Sequence, residues 1–576
     1  MIKKHIPKVL YILLFIGFIE LLNILLTTSA RRLLRDDLTR NVARMTDGLY
    51  SLDFGDLDIN LLTGFASLDD ITLTLNAARL NELYRVDSLP EYYGSAKIKS
   101  VNLEGVNFMF RKWKQKELHF RHIHIVAPQL TLINNTEEIP VQHPKDTVVK
   151  MRNKSPYEMI APYLNVISVS DIKLEKGKLR FCSENKTDTT EVKLENINFD
   201  AENFRIDSVS DQRSFYLYSE NFKLSIDTTQ VSSPGNLYTL NSGKIAVNLK
   251  DSLLKIENVA LKSKVPQWDF AYKDPKHSDW SDLRVGSIEL KNFRLQKLIQ
   301  EKSLLSDSLL VSGVYFSNYK NQKIPTPPSK VPMIYETVQK FPLPFDIRYV
   351  KVSNINILYQ EMPKNGSDPG AIRFTQMEGI FDGFTNIVTS HTQMNKLTTS
   401  GKLMNEGAIR AELYFPVDST YDVVHIKGTL GAMNMIALNK IIEPMAPARI
   451  KSGFIQGLDF DITGGKERAT IDMCLLYTDL SIQILLPAGK DHRTESGILS
   501  FLANGILEKN NPDPGKDPRR IRTEHIRDPY HSAFNYLWKI YLAGLTETVG
   551  YTKGRQKSVA WVEKEIKMLK KKKAAN

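Results

Sequence analysis

The sequence predicts a mainly β protein, an elongated antiparallel sheet with one apolar face that is built from repeated strand units. Three observations support this prediction. Apolar and polar residues alternate along most of residues 52–486, part of the sequence repeats itself, and the regular helical segments that separate parallel strands are absent. A chain of 576 residues is long enough for several such units and a large core.

The chain opens with an apolar segment at residues 9–26, VLYILLFIGFIELLNILL, with lysines before it and arginines after it. Its length is at the short end of the range for a transmembrane helix and exceeds the usual core of a signal peptide. We therefore expect an uncleaved anchor within residues 1–30 and a single membrane crossing. Basic residues on both flanks leave the orientation of the anchor open under the positive-inside rule. The predicted membrane-spanning side chains are Leu10, Ile12, Leu13, Leu14, Phe15, Ile16, Phe18 and Ile19.

The body that follows contains a near-repeat. IKSVNLEGVNF, from Ile98, matches VGSIELKNFRL, from Val285, at an offset of 187 residues, with apolar residues on apolar residues. A second match, between SVSDIKLEKGKLRF and KVSNINILYQE, aligns Val169 with Val352. Repetition of this kind favours a stacked, extended β body over an enzyme built around one pocket.

Changes in pattern divide the chain into six segments. Pro325–Pro332 predicts a linker between the repeat units, and Asn510–Pro518 predicts the end of the β body. The predicted segments are the anchor at 1–30, a first β repeat region at 31–205, an intervening β segment at 206–284, a second β repeat region at 285–395, a C-terminal β block at 396–510, and a linker, amphipathic helix and basic tail at 511–576.

Alternation is clearest in the last strands of the body, on either side of a turn region at Gly464 and Gly465. A period of two places every second side chain on the same face of a sheet. The side chains that we predict to share the inward, apolar face are Phe460, Ile462, Ile471, Met473, Leu475, Leu480, Ile482 and Ile484.

After residue 518 the period changes to that of an amphipathic helix. Its predicted apolar stripe consists of Phe534, Leu537, Trp538, Tyr541, Leu542 and Leu545. Two hypotheses fit this stripe. The helix caps the open end of the sheet, or its tryptophan and tyrosine contact a membrane.

Most of the net charge of +12 belongs to the C-terminal tail. Residues 553–573 contain nine basic residues and two acidic ones, a surplus of seven that leaves +5 for the rest of the chain. The body therefore lacks the basic surplus of a nucleic-acid-binding protein, and we predict no nucleic-acid partner. The tail is either a site for anionic lipid headgroups or a solubilising end.

Motifs that would indicate an enzyme or a cofactor are missing from the sequence. It has no Walker-type phosphate loop, no nucleotide fingerprint after a strand and no nucleophile elbow. His122 and His124 share a strand face, which suits either a metal site or a solvated polar face. Cys182 and Cys474 either pair in an oxidising compartment or are two separately buried thiols. We therefore predict a protein that is not an enzyme and binds no cofactor.

Several of these segments together resemble the AsmA-like family of bacterial envelope proteins, which includes relatives of TamB. The resemblance includes the anchor, LDFGDLDINLLTGFASLDDITLTL after it, and the strand pairs at 98–133 and 168–181. It also includes the block at 424–486 and the closing FNYLWKIYLAGLTETVGY. The resemblance implies a protein anchored in the bacterial inner membrane, with most of its chain in the periplasm and a long, curved β-sheet that forms an apolar groove.

The role that this resemblance implies is binding or transfer of phospholipid in outer-membrane homeostasis. A curved sheet with one apolar face must close on a core or hold something apolar, and lipid tails fit the second case. The eight inward-facing residues of the C-terminal block are then expected to line the groove. The alternative is a structural scaffold or assembly factor that contacts outer-membrane proteins through edge strands. A side-chain-filled interior would favour that alternative.

Overall fold

The computed structural model of the chain describes residues 31–60, 63–86, 90, 92–105, 117–135, 156–162, 164–184, 189–209, 218–232, 235, 237–390, 393–418, 420–446, 448–488, 492–495 and 507–550. The predicted anchor at residues 1–30 and the basic tail lie outside these residues. The protein is mainly β, with 58% of its residues in strands and 15% in helices. It divides into two units, residues 1–260 with 294–300, and residues 261–293 with 301–576.

The strands, in chain order, are β1 (Tyr50–Asp53), β2 (Leu57–Asn60), β3 (Phe65–Leu75), β4 (Tyr92–Glu104), β5 (Glu117–Val126), β6 (Gln129–Asn135), β7 (Val166–Glu184), β8 (Thr189–Ile206), β9 (Asn221–Ile226), β10 (Thr228–Ser232), β11 (Tyr238–Ser242), β12 (Ile245–Asn248), β13 (Leu253–Ser263), β14 (Trp280–Lys291), β15 (Leu304–Asn321), β16 (Phe345–Met362), β17 (Gly370–Thr385), β18 (Met394–Leu403), β19 (Gly407–Pro416), β20 (Val424–Leu430), β21 (Met433–Asn434), β22 (Ala448–Gly464), β23 (Arg468–Ala488), β24 (His492–Glu495) and β25 (Ile521–Ile526).

The helices, in chain order, are α1 (Arg31–Met45), α2 (Ala77–Arg85), α3 (Pro156–Ile160), α4 (Gln267–Lys273), α5 (Leu295–Gln300), α6 (Ile334–Gln339), α7 (Asn439–Met445) and α8 (Ala533–Thr548), with a 3₁₀ turn at Met435–Leu438. Asn76 caps α2, because its side-chain oxygen accepts the backbone N–H groups of Ala78 and Arg79. Ser532 caps α8 in the same way through the N–H of Asn535.

In the first unit, β1 and β2 lie end to end beside β3, and β3 pairs with β4. Next to β4, the strands β5 and β6 form one interrupted line, which β7 joins in parallel. β8 then pairs antiparallel with β7, and both β9 and β10 pair antiparallel with β8. β12 pairs antiparallel with β9 and also with β13.

The second unit has a similar order. β14 pairs with β15, β16 joins β15 in parallel, and antiparallel pairing runs from β16 through β20. β22 follows β20, and β23 lies beyond it. β23 also pairs with β25 over its first six residues and with β24 near its end.

The sheet is therefore mixed, and the prediction of a purely antiparallel sheet was wrong. The parallel pairs β5–β7, β6–β7 and β15–β16 require long crossover connections, because a parallel strand must return to the same end of the sheet. Pro325–Pro332 lies in the second of these crossovers, between β15 and β16, and so inside the second unit rather than between repeat units.

The 187-residue repeat corresponds to a repeat of elements. Shifted by 187 residues, β3, α2 and β4 fall on residues 252–262, 264–272 and 279–291, close to β13, α4 and β14. Shifted β5 and β6 fall on residues 304–322, which β15 occupies almost completely. The second predicted match is displaced, because β7 and β16 begin 179 residues apart rather than the 183 that aligns Val169 with Val352.

Bulges explain why the alternation changes phase within single strands. Ala127, Lys176 and Asn196 have left-handed backbone angles, with φ of 48°, 55° and 52°, in neighbouring lines of the first unit. An extra residue in a strand moves all later side chains to the other face of the sheet. If the apolar residues after the bulge are also displaced by one position in the sequence, they point to the same face as the apolar residues before it. Ile123 and Ile125 before Ala127, with Leu130 and Leu132 after it, show such a shift.

The β body does not end at Asn510–Pro518. This segment is bound to β23, since the backbones of Tyr477 and Asn511 exchange two hydrogen bonds of 2.9 Å and the Asn511 side chain donates to the Leu475 carbonyl. The chain then returns as β25 along β23 and as α8, both of which complete the second unit.

Candidate functional site: an apolar sheet face

A row of apolar side chains crosses eight neighbouring strands of the first unit. Each member lies directly opposite the next in the register of the sheet, so all of them point to one face. The residues of this row, named here the open row, are Leu68, Val101, Ile125, Leu174, Phe199, Leu224, Val247 and Leu254.

Every side chain of the open row is only half-buried. A second layer packed on this face would bury them, as it does at one end of the same face. There Leu38 of α1, Ile160 of α3 and Leu164 pack on Leu103 and Ile167, and all five are less than 5% exposed. Leu68 and Val101 pack against this closed core. Phe199, Leu224 and Val247 pack against a second buried cluster, Ala201, Phe222 and Leu249, on which Leu295 of α5 also packs. The open row is therefore a partly covered apolar face whose side chains remain half-buried.

The opposite face of these strands is polar and laced with ion pairs. Lys173 and His124 both contact Glu175, at 2.5 and 3.1 Å, and His122 lies 3.1 Å from Asp171. The two histidines thus lie on a solvated polar face, each beside a carboxylate of β7. Within the described ranges, no group of three His, Cys, Asp or Glu side chains is placed to hold a metal.

A row of apolar side chains in register also crosses the second unit, and its burial varies from strand to strand. Leu290 and Val350 are 5% and 3% exposed, and Leu309, Phe381, Leu397 and Leu413 are half-buried. Ile426, Ile462 and Ile471, at the far end, are 0–6% exposed. The row continues in register through all of them: Leu290, Leu309, Val350, Phe381, Leu397, Leu413, Ile426, Ile462 and Ile471.

Helix α8 covers the buried end of this second row. The ring of Tyr541 meets that of Phe460 edge-on, with 4.7 Å between centroids. The helix lies so close to the sheet that a Cβ on Gly544 would come within 2.8 Å of the Met473 sulfur. Ile540, on the same helix face, is fully buried.

The eight residues predicted to line a groove therefore lie in or beside a side-chain-filled core. Phe460, Ile462, Ile471, Met473, Leu475 and Leu480 are at most 5% exposed and belong to one cluster with α8. Ile482 packs against that cluster, and Ile484 pairs with Ala448; both are half-buried. The alternation placed these side chains on the inner face of the sheet, but it contained no information about the helix that covers them.

The predicted stripe of α8 overlaps its buried face without matching it. The ring of Phe534 lies tilted against that of Tyr359, with 4.5 Å between centroids, and Leu537, Tyr541 and Leu545 pack on the core. Leu542 is 42% exposed, whereas Tyr536, Ile540 and Gly544 are buried. The hypothesis that the helix covers the sheet thus agrees with the structure. The face of α8 that contacts the sheet includes Gly544, which a stripe defined by large apolar residues leaves out. Trp538 is half-buried.

A buried polar cluster lies where β14, β15, β16 and the start of α8 meet. Glu361 is 1% exposed, and its carboxylate accepts hydrogen bonds from Tyr359 at 2.9 Å and from Gln322. Lys320, 8% exposed, lies 3.0 Å from the ring Nδ1 of His531. Burial raises the pKa of Asp279 to about 6 and lowers that of Lys320.

Sequence inspection missed this cluster because its members are ordinary polar residues near strand ends. The residues 187 positions before Asp279 and Lys320 are Tyr92 and Ile133, so the first copy of the repeat carries no such charges. Comparing the two copies could have indicated that these polar positions are special.

Two other predictions concern cysteines and the membrane. Cys182 and Cys474 are both free and buried, in agreement with the hypothesis of separate thiols. Of the helices in the described residues, none combines the length and the apolar character needed to cross a bilayer.

No protein-family model matches the chain, and a search of curated proteins found no match either.

Proposed function

We propose that this chain is a membrane-anchored periplasmic protein of the AsmA-like kind, whose apolar sheet face binds or transfers phospholipid. The observation that supports this most strongly is the open row, because eight half-buried apolar side chains follow one another in register without a charged residue. Contact between water and such a surface is unfavourable, and acyl chains bound there would displace the water.

The dimensions of the open row suit a lipid tail. Neighbouring strands lie about 4.8 Å apart, so eight strands give a row of roughly 34 Å. One leaflet of a bilayer contributes about half of a hydrocarbon core of ~30 Å, so the row is longer than one acyl chain. Burial of each CH₂ group is worth about 0.8 kcal/mol, which makes a whole tail a strongly bound group.

Photo-crosslinking tests this proposal. A photoreactive residue at Leu174 or Phe199 of the full chain should capture phospholipid when irradiated in membranes. The matched control is Lys173, which neighbours Leu174 in β7 but points to the polar face, where it pairs with Glu175. Equal capture at positions 173 and 174, or capture at neither, would refute a lipid-binding face.

The scaffold alternative is favoured by one observation, the closed interior of the C-terminal block. Residues 424–486 together with α8 form a filled core, so this part of the chain offers protein surface rather than a groove. If crosslinkers in the open row captured envelope proteins instead of lipid, the scaffold role would replace lipid binding.

A further inference from the structure

Helix α4 presents two aromatic side chains to solvent. Trp268 and Tyr272 are one turn apart and therefore lie on the same side of the helix. They are 60% and 68% exposed, and Tyr272 is the most exposed of the large apolar and aromatic side chains in the described residues. Water-exposed rings in this arrangement cost free energy unless a second surface covers them.

The helix that displays these rings is firmly placed. Phe270 and Ala271, on its other side, are 1% and 8% exposed and pack toward β14 and β15. Asp274 ends the helix, and its carboxylate accepts the backbone N–H groups of Lys276 and Ser278 at 3.1 and 2.9 Å. The aromatic pair is thus preformed rather than carried by a mobile loop.

The surface around the pair is basic. Lys262, Lys264, Lys273 and Lys276 flank α4 and are all exposed. Of the two acidic residues in the same stretch, Asp274 is buried and bound by the backbone, which leaves Asp269 alone at the surface.

Lysine beside tryptophan and tyrosine favours a membrane over a protein partner. Lysine is depleted at protein–protein interfaces, whereas clustered lysines bind anionic headgroups. Tryptophan and tyrosine are the residues enriched at the level of the headgroups, where their rings are half in water and half in hydrocarbon.

We propose that α4, through Trp268, Tyr272 and the four lysines around them, docks on an anionic phospholipid surface. This inference rests on the proposed function only in taking a membrane as the partner. It assigns a membrane contact in the middle of the chain, separate from the anchor and from the basic tail.

The repeat supplies an internal comparison. Helix α2 occupies the equivalent place in the first unit and also exposes an aromatic residue, Tyr84, at 62%. Over residues 75–89, however, the two arginines are balanced by two acidic residues, whereas residues 262–276 have a surplus of two positive charges. The inference therefore predicts binding by α4 and not by α2.

A local fluorescent probe separates this contact from those made by the chain ends. Asp269→Cys on α4 and Glu82→Cys on α2 are equivalent positions, both exposed and both acidic. Each single-cysteine site is labelled with an environment-sensitive dye in the full chain, since the native cysteines are buried. The labelled protein is then titrated with vesicles of phosphatidylcholine, alone or mixed with phosphatidylglycerol.

The probe at position 269 should shift to an apolar emission with the anionic vesicles only, and the probe at position 82 should not shift. Replacing the four lysines by serine should raise the lipid needed for half the shift by roughly a hundredfold to a thousandfold, and Trp268→Ser with Tyr272→Ser should abolish it. Circular dichroism would verify that these surface variants fold. No shift at position 269, or equal shifts with neutral and anionic vesicles, would overturn the inference. Because no lipid transfer is measured, either result is independent of crosslinking at Leu174.

Discussion

The carboxyl group of Asp279 is held in the buried polar cluster of the second unit, where desolvation raises its pKa from 3.8 to about 6. A carboxyl whose pKa is raised on folding binds its proton more tightly in the folded state than in the unfolded state. Its contribution to stability is therefore present below pH 4 and is lost as the pH rises through 6.

We predict that Asp279→Asn stabilises the protein at neutral pH by at most about 3 kcal/mol, because the shift of roughly two pKa units is a cost that the amide does not have. The same variant should flatten the pH dependence of unfolding between pH 4 and 6. Urea midpoints of both proteins across this range would measure the effect. A stability difference between the two proteins that does not change with pH would contradict a raised pKa at Asp279.

Lys320 is a buried positive charge that interacts electrostatically with the carboxylates of Asp279 and Glu361. We predict that Lys320→Met destabilises the second unit by about 3 kcal/mol, since it leaves a buried carboxylate without its counter-charge. Lys323→Met is the matched control, because this neighbouring lysine is exposed. Hydrogen exchange should show faster exchange at the start of α8 in the first variant only. Equal, small effects of both variants would mean that Lys320 does not hold the cluster together.

Among the elements, α8 determines whether the apolar face of the second unit is open or closed. Gly544→Phe should push the helix away from Met473 and cost about 1–3 kcal/mol, as overpacking of a filled core does. Leu542→Phe, on the exposed side of the same helix, should be nearly neutral. The rate of cleavage within α8 under limited proteolysis would be compared between the two variants. Similar resistance of both variants would show that the helix does not depend on close approach at Gly544.

The bulges make a second prediction about elements. Lys176 has a left-handed backbone with φ of 55°, so Lys176→Gly should stabilise the first unit by about 1 kcal/mol. Lys178, two residues later, lies exposed in the continuing strand, and Lys178→Gly should destabilise by a similar amount. Thermal unfolding of the two variants should thus shift in opposite directions. Shifts of the same sign would argue against a bulge at Lys176.

The sequence was sufficient to predict strands and their inner faces, because period-two alternation depends only on which side chains are buried. It was insufficient to predict strand direction, since the same alternation suits the parallel pair β15–β16 and an antiparallel one. It also could not predict that α8 closes over Phe460 and Met473, because a helix 60 or more residues away leaves no mark on the alternation of a strand. The buried charges Lys320 and Glu361 were missed because they are ordinary polar residues near strand ends.

For the whole molecule, the two copies of the repeat differ in the burial of their apolar rows. The apolar row of the first copy is half-buried along its whole length and that copy lacks the polar cluster, whereas the second copy is covered at one end by α8. Because the 424–486 block is filled with side chains, the open row is the better candidate for a lipid site than the residues that alternation alone selected. The unit that carries the open row is also the one that follows the proposed anchor in sequence.

The most direct test of the proposed function is the amount of phospholipid that the purified full chain retains, measured by mass spectrometry. Leu174→Asp puts a charge into the open row, where it costs several kcal/mol if unpaired, and Lys173→Asp puts the same residue on the polar face. We predict that the wild-type chain and Lys173→Asp retain phospholipid, whereas Leu174→Asp loses most of it while remaining folded. Equal retention by both variants, or no retained phospholipid in the wild-type chain, would contradict lipid binding by this face.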